Sequence, residues 1–224
     1  MKKVVLSSVA LAALATGSAN AYDFNDKIYG KAHVDVGYSV QFFLNSLKDE
    51  IKSDKDNGAD TNIISHYITV GGGYNIYYKA NELIHPFAGA EIYGRIPVGG
   101  QKLIGYGGWN TYFTDFLHIN GKLGTKINVC KNVAVAPYAV IGMNFSQYKL
   151  TVGDYSDKST AIGLTTGAGV ETIIQDQFTV GVEYRFGKTK TSSLLIDAGD
   201  FAFGEDSVRI KTHSVSLKFG YQFL

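Results

Sequence analysis

"IYGKAHVDVGYSVQF", Ile28 to Phe42, is the stretch whose reading decides the fold. Its even positions are Ile28, Gly30, Ala32, Val34, Val36, Tyr38, Val40 and Phe42; its odd ones are Tyr29, Lys31, His33, Asp35, Gly37, Ser39 and Gln41. A period of two describes an extended strand with one apolar and one polar face. The run far exceeds the roughly 5–6 residues of an ordinary soluble strand. What remains to decide is whether the apolar face covers a core or meets lipid.

Seven further segments repeat the pattern. They cover residues 64–76, 84–96, 113–127, 133–146, 162–171, 178–187 and 214–223. In the fourth segment Phe113, Leu117, Ile119, Gly121, Leu123, Thr125 and Ile127 form the apolar list, which Asp115 interrupts. Opposite them stand Thr114, Phe116, His118, Asn120, Lys122, Gly124 and Lys126. Across the segments the second list is dominated by Gly, Ser, Thr and Asn with a few charges. That composition suits the crowded interior of a closed eight-stranded barrel better than a solvated surface.

The connections alternate in length. "KANEL", "CKN" and "IQDQ" are brief, whereas "LNSLKDEIKSDKDNGADT" and "KTKTSSLLIDAGDFAFGEDSV" are long and polar, as are those between segments three and four and five and six. Long loops on one side, tight turns on the other and an even strand number are the arrangement of outer-membrane barrels. In hydrocarbon every backbone N–H and C=O must pair within the sheet, so the sheet must close. The expected fold is therefore all-β, an eight-stranded antiparallel transmembrane up-and-down β-barrel with its apolar lists facing lipid. Two aromatic girdles are expected to mark the interfaces. Tyr38, Phe42, Trp109, Tyr112, Phe113, Phe145 and Tyr148 form the one at the long-loop end, and Tyr29, Tyr74, Tyr77, Tyr78, Phe178, Tyr221 and Phe223 the other.

"MKKVVLSSVALAALATGSANA" reads as a secretory signal peptide over residues 1–21, with Ala19-Asn20-Ala21 as its cleavage site and residues 22–224 as the barrel domain. Its apolar run is too short for a membrane helix of about 20 residues. Without Lys2 and Lys3 the 21 basic residues fall to 19, against 20 acidic ones, which argues against a nucleic-acid partner. The chain carries 26 Gly, 15 Tyr and 13 Phe, a composition consistent with an all-β protein. Cys130 is the single cysteine, so no disulfide within the chain contributes to stability.

The polar lists place Glu91, Arg95, Lys122, Lys126, Glu171, Glu183, Arg185 and Lys218 in the lumen, with Asp35 nearby in pattern. Unpaired charges there would be costly, so opposite signs should pair. Such a network either plugs the barrel or gates a small-conductance pore; the plug is the expectation. No catalytic residues are assigned: His66, His213 and Ser214 are the candidates for a lipid-modifying enzyme, without the spacing such chemistry would need. The five histidines, at 33, 66, 85, 118 and 213, fall on five strands without a ligand spacing, so neither a metal nor a cofactor is expected. Arg209, Lys211 and His213 share the lipid-facing parity of the last strand near its loop end, where they are candidate contacts for lipopolysaccharide phosphates.

"SVSLKFGYQFL", together with "GVEYRFG" and the mutually echoing "HPFAGAEIYG" and "APYAVIGMNF", resembles the small outer-membrane β-barrel family, namely the OmpA transmembrane domain with OmpX-like and Opa-like proteins. The resemblance implies a C-terminal signal read by the barrel-insertion machinery. Phe219, Tyr221 and Phe223 would carry it here, with Leu224 after the expected terminal Phe. No peptidoglycan-binding domain follows the last strand, so the barrel is expected to stand alone as a monomer in the outer membrane of a Gram-negative bacterium. Its expected partners are membrane lipids, lipopolysaccharide and a host or surface ligand held by four long loops. The expected role is structural or adhesin-like.

Overall fold

A computed structural model describes residues 23–43, 60–61, 64–99, 102–106, 109–152, 155–191, 194–198, 201–205 and 209–223. The leader expected over residues 1–21 and most of the first long connection lie outside them. Eight long strands dominate: β1 Ile28–Phe43, β2 Ile64–Tyr78, β3 Ile84–Val98, β4 Trp109–Cys130, β5 Val133–Val152, β6 Tyr155–Ile174, β7 Phe178–Thr191 and β8 Arg209–Gln222. Each pairs antiparallel with its sequence neighbours, and β8 pairs back onto β1 from Thr212↔Phe43 to Gln222↔His33. The sheet closes into an up-and-down barrel, so the ladder has no free edge.

Turn chemistry fixes the register at the tight end. Gln175 and Asp176 have φ of 53° and 58°, and Gln177 N–H donates to the Ile174 carbonyl at 3.1 Å. This is a type I′ turn, whose twist matches that of the strands it joins. Between β2 and β3 the Asn81 side-chain oxygen accepts from the amides of Leu83 and Ile84 at 2.8 and 2.7 Å.

The two faces separate as the alternation requires. Val36, Ile141, Leu164 and Val182 are about half exposed or more on the outside, while Ser39, Glu91, Lys122 and Glu183 on the intervening lists are buried inside. The interior is layered. Tyr77, Phe87, Ala134, Ala136, Tyr138 and Ile173 form an apolar cluster toward the tight turns, with the Tyr29 ring stacked on Tyr77 at 5.0 Å. Phe113 and Ile210, with Phe43 and Tyr148 against them, form a second toward the long connections. Charged side chains fill the waist between.

Three expectations need correction. In β4 the register slips between Asp115 and Leu117, a β-bulge that spends one residue and reverses the parity on its far side. Phe113, at 0% exposure, and Asp115 therefore point into the barrel, whereas the alternation alone puts Phe113 on the lipid side. The girdles lose further members for a different reason: Tyr29, Tyr77 and Tyr148 sit at lumen-facing parity on their strands, and with Phe113 they turn inward onto the two apolar clusters. Tyr38, Phe42, Tyr78 and Phe178 do lie outward and exposed, and the Trp109 side chain lies outside the described ones. Finally, the long connection expected between segments five and six is mostly strand, because β5 runs 20 residues to Val152 and β6 starts at Tyr155. About 9–11 residues suffice for a tilted strand to cross a bilayer. That hairpin therefore rises well clear of the membrane. Residues 194–198 and 201–205 form another small hairpin in the last long connection.

Candidate functional site

Parity delivers one acid or base from almost every strand to the waist of the lumen, and the register sets which of them meet. Arg185 of β7 donates from Nη2 to Glu91 Oε1 of β3 at 2.9 Å and from Nε to Glu183. Lys218 of β8 donates to Glu183 Oε2 at 2.8 Å and lies 3.8 Å from Glu91 Oε1. Lys122 of β4 pairs with Glu171 of β6 and lies 3.9 Å from Glu91 Oε2. Glu91 thus stands at the centre of three cations.

Tyrosines and amides supply the remaining donors. Tyr138 donates to Glu183 Oε2 at 2.9 Å, Tyr93 to Asp35 Oδ2 at 2.9 Å and to Glu91 Oε2 at 3.1 Å, and Asn120 to Glu91 Oε1 at 3.2 Å. The Lys122 ammonium lies 4.0 Å from the centroid of the Tyr138 ring and the Lys218 ammonium 4.4 Å from that of Tyr93, so aromatic faces screen the ammonium groups from bare contact. With His33 Nε2 3.3 Å from Asp35, each carboxylate here has a nitrogen or hydroxyl partner.

A second tier lies toward the long connections. Arg95 donates to Asp115 Oδ2 at 2.6 Å, to Gln41 Oε1 at 2.7 Å and to Ser39 Oγ at 2.9 Å, with its guanidinium over the Tyr67 ring at 4.1 Å. Ser146 donates to the other Asp115 oxygen at 3.1 Å. His118 joins the tiers: Nε2 is 2.9 Å from Asp115 Oδ2 and Nδ1 is 3.3 Å from Arg185 Nη1. Arg185 can only donate, so the network assigns Nδ1 as acceptor and Nε2–H as donor to Asp115.

A third tier closes the tight-turn mouth. The inward-folded β6–β7 turn carries Asp176 to Lys126 of β4, with Oδ1 2.5 Å from Nζ, while Lys31 of β1 donates to the Asp176 carbonyl at 3.0 Å. Burial raises the Asp176 carboxyl, but the Lys126 hydrogen bond and charge, with Lys31, outweigh it and hold the group below the ordinary aspartate value.

Of the eight lumenal residues singled out in the sequence, Glu91, Lys122, Glu171, Glu183, Arg185 and Lys218 meet at the waist. Arg95 and Lys126 belong to the outer two tiers. Alternation did not identify Asp115, His118, Tyr93 and Tyr138 as members. Asp115 was hidden by the bulge, but the other three lie on lumen-facing lists, so their parity was the available signal. The void left at the waist is about 20 Å³, bordered by Ser39, Thr69, Arg95, His118 and Arg185 among others. That is room for on the order of one water.

Outside the lumen the remaining candidates disperse. Ser214 is buried on the inner face, whereas His213 bonds the Tyr184 hydroxyl and His66 Nδ1 lies 2.7 Å from the Tyr38 hydroxyl, both on the outer face. A nucleophile and base do not come together there. His85 Nδ1 lies 2.6 Å from the Tyr29 hydroxyl, so each of the five histidines has its own local partner. Lys211 is exposed on the outer face one step above His213, and Arg209 is placed only by its backbone register, its side chain lying outside those described. Near the opposite end Phe219 is exposed outward and Tyr221 stands edge-on between Phe178 and Phe223, at 5.4 and 5.3 Å.

The chain is similar to several known proteins. A 22 kDa outer membrane protein of Rhizobium leguminosarum bv. viciae is 24% identical over 168 residues, 75% of this chain and 71% of its own length. The Ail attachment invasion locus protein of Yersinia pestis superposes with a TM-score of 0.46 at 13% identity, covering 87% of this chain and 99% of Ail. Neisserial surface protein A does so with a TM-score of 0.43 at 11% identity, covering 86% and 97%. Residues 9–223 match the family described as outer membrane protein beta-barrel domain. The chain accordingly belongs to that family and resides in the outer membrane.

Proposed function

We propose that this barrel is a sealed membrane-spanning scaffold whose structural or adhesin-like role is carried by the hairpins on its long-loop side. One observation carries the reading: the waist charges pair across the lumen and leave a void of about 20 Å³, with apolar side chains closing in above and below. An ion crossing here would have to break the Arg185–Glu91 and Lys122–Glu171 pairs together, each of them desolvated. The β5–β6 hairpin, standing clear of the bilayer, supplies the surface on which a host or surface ligand would dock. Phe219, Tyr221 and Phe223 serve as the insertion signal during assembly.

Planar-bilayer recording tests this. The wild type is expected to give no steady conductance; steady wild-type channels altered by Glu91→Ala and Arg185→Ala would establish the rival pore instead. Replacing residues 149–158, the end of the β5–β6 hairpin, by a tight turn should reduce attachment of expressing cells to surfaces without lowering the amount of barrel. Unchanged lipid A masses on overexpression are expected, and altered ones would point to the third reading, a lipid-modifying enzyme.

A further inference from the structure

The tight-turn mouth holds more cation than acid. Lys31 of β1 and Lys126 of β4 enter it with side chains 9% and 6% exposed, and among the described residues the one carboxylate pairing with either is Asp176, 55% exposed on the β6–β7 turn. That asymmetry decides which partner can leave. A half-exposed carboxylate moves into water at little cost, whereas two buried ammonium groups cannot stay unpaired behind it.

A third nitrogen at this mouth is unsatisfied. His85 of β3 is registered directly opposite Lys126, is 7% exposed and lies within electrostatic reach of Asp176. The Tyr29 hydroxyl, 2.6 Å from Nδ1, donates there, which leaves the ring proton on Nε2, and that buried N–H meets no acceptor. A buried donor without a partner carries its full desolvation cost. The turn that brings Asp176 in also works against its backbone: Gln175 and Asp176 sit at φ of 53° and 58°, which a residue with a Cβ adopts less readily than glycine. Beside it a cavity of about 420 Å³ opens among the three tight turns, bordered by Asp176 with Glu82, Asn128, Lys131 and Asn132. Its size is that of a small-molecule pocket.

We infer that the tight-turn mouth is a binding site for a phosphate dianion, free or as a phosphomonoester, in which Lys31, Lys126 and His85 hold the phosphate and Asp176 is the tethered carboxylate it displaces. Charge selects the ligand. With Asp176 swung out, two ammonium groups remain, which a dianion neutralises and a monocarboxylate does not. Glu82 and Asn132, at the border of the cavity, offer hydrogen bonds to the hydroxyls of an ester's body. The mouth opens on the periplasmic side, where the short turns of an outer-membrane barrel lie. It is the opposite end from the long-loop hairpins, so the site stands whether or not those hairpins bind a ligand.

The test uses the full chain refolded in zwitterionic detergent at about pH 8, where phosphate is dianionic. Inorganic phosphate, glycerol phosphate and acetate serve as probes at matched ionic strength, read by titration calorimetry. The wild type is expected to bind both phosphates weakly and acetate not at all. Asp176→Asn, which removes the competitor, should bind phosphate about tenfold more tightly, as for a site that the tethered carboxylate occupies about nine-tenths of the time. Lys31→Gln and Lys126→Gln should each weaken binding about tenfold or more, whereas Lys149→Gln, an equal charge loss at the far end of the barrel, should not. Added phosphate should also raise the unfolding temperature of Asp176→Asn more than that of the wild type, a readout that holds even where a lysine variant fails to fold. Glycerol phosphate binding more tightly than inorganic phosphate assigns the site to phosphomonoesters; equal or weaker binding assigns it to the free ion. No binding to Asp176→Asn, an affinity unchanged by that substitution, acetate binding as tightly as phosphate, or an equal loss in Lys149→Gln would each overturn the assignment.

Discussion

Tyr138 and Glu183 sit on strands that are not neighbours, yet the Tyr138 hydroxyl reaches the Glu183 carboxylate at 2.9 Å across Gly169 of the strand between. Gly169 is registered opposite both residues, and a Cβ there would lie 2.5 Å from the Tyr138 ring. The same device recurs on the far wall, where Tyr93 reaches Asp35 over Gly71. Glycines on the lumenal list are thus crossing points that let long side chains span two strands.

Gly169→Ala should therefore displace the Tyr138 ring and release its hydrogen bond, destabilising the barrel by about 1–3 kcal/mol. Tyr138→Phe should cost about 1 kcal/mol by losing the bond alone. Urea midpoints of the refolded barrel in detergent check both, and equal costs for the two changes would show that the ring does not depend on the glycine.

Removing one partner of the waist leaves the other charge buried. Arg185→Leu is expected to cost about 3–5 kcal/mol because Glu91 and Glu183 lose a shared guanidinium. Adding Glu183→Leu to it should recover part of that loss, as replacing both members of a buried pair costs less than breaking it. A double-variant cycle on unfolding free energies gives the coupling directly; strict additivity would contradict it.

The bulge in β4 makes an optical prediction. With brominated lipids, a tryptophan at Phe113 should escape quenching, whereas one at Tyr112 should be quenched. Uninterrupted alternation gives the reverse result. Deleting Phe116 should remove the extra residue and leave both outcomes unchanged, because Asp115 then alternates into the lumen without a bulge; exchanged outcomes would show that the register slip lies elsewhere.

Acid should loosen the tight-turn mouth. The Asp176 carboxyl is held below its usual value by Lys126 and Lys31, so its contribution is present above the unfolded-state value of about 3.9 and is lost as pH falls through the lower folded one. Asp176→Asn should lower stability at pH 7 by up to about 1 kcal/mol, the modest worth of a half-exposed pair. The gap to wild type should shrink progressively below about pH 4. A gap that stays constant down to pH 2, a range set by that same linkage, would exclude the charge as its source.

Residues such as Val36 and Ser39 show what the sequence by itself determined. Strict alternation follows from the local geometry of an extended backbone, so the strand count, the facing of most residues and the barrel closure demanded by lipid were all legible along the chain. So was the lumenal placement of Glu91, Lys122 and Arg185. What only the tertiary structure decided is who meets whom. Arg185 finding Glu91, 94 positions away, or Lys126 finding Asp176 depends on stagger around a closed ring, which no local pattern encodes. Asp115 and Phe113 escaped for a different reason: a single extra residue in one strand reverses every facing beyond it, and its presence is fixed by the neighbouring strands' register rather than by the side chains of the bulge itself.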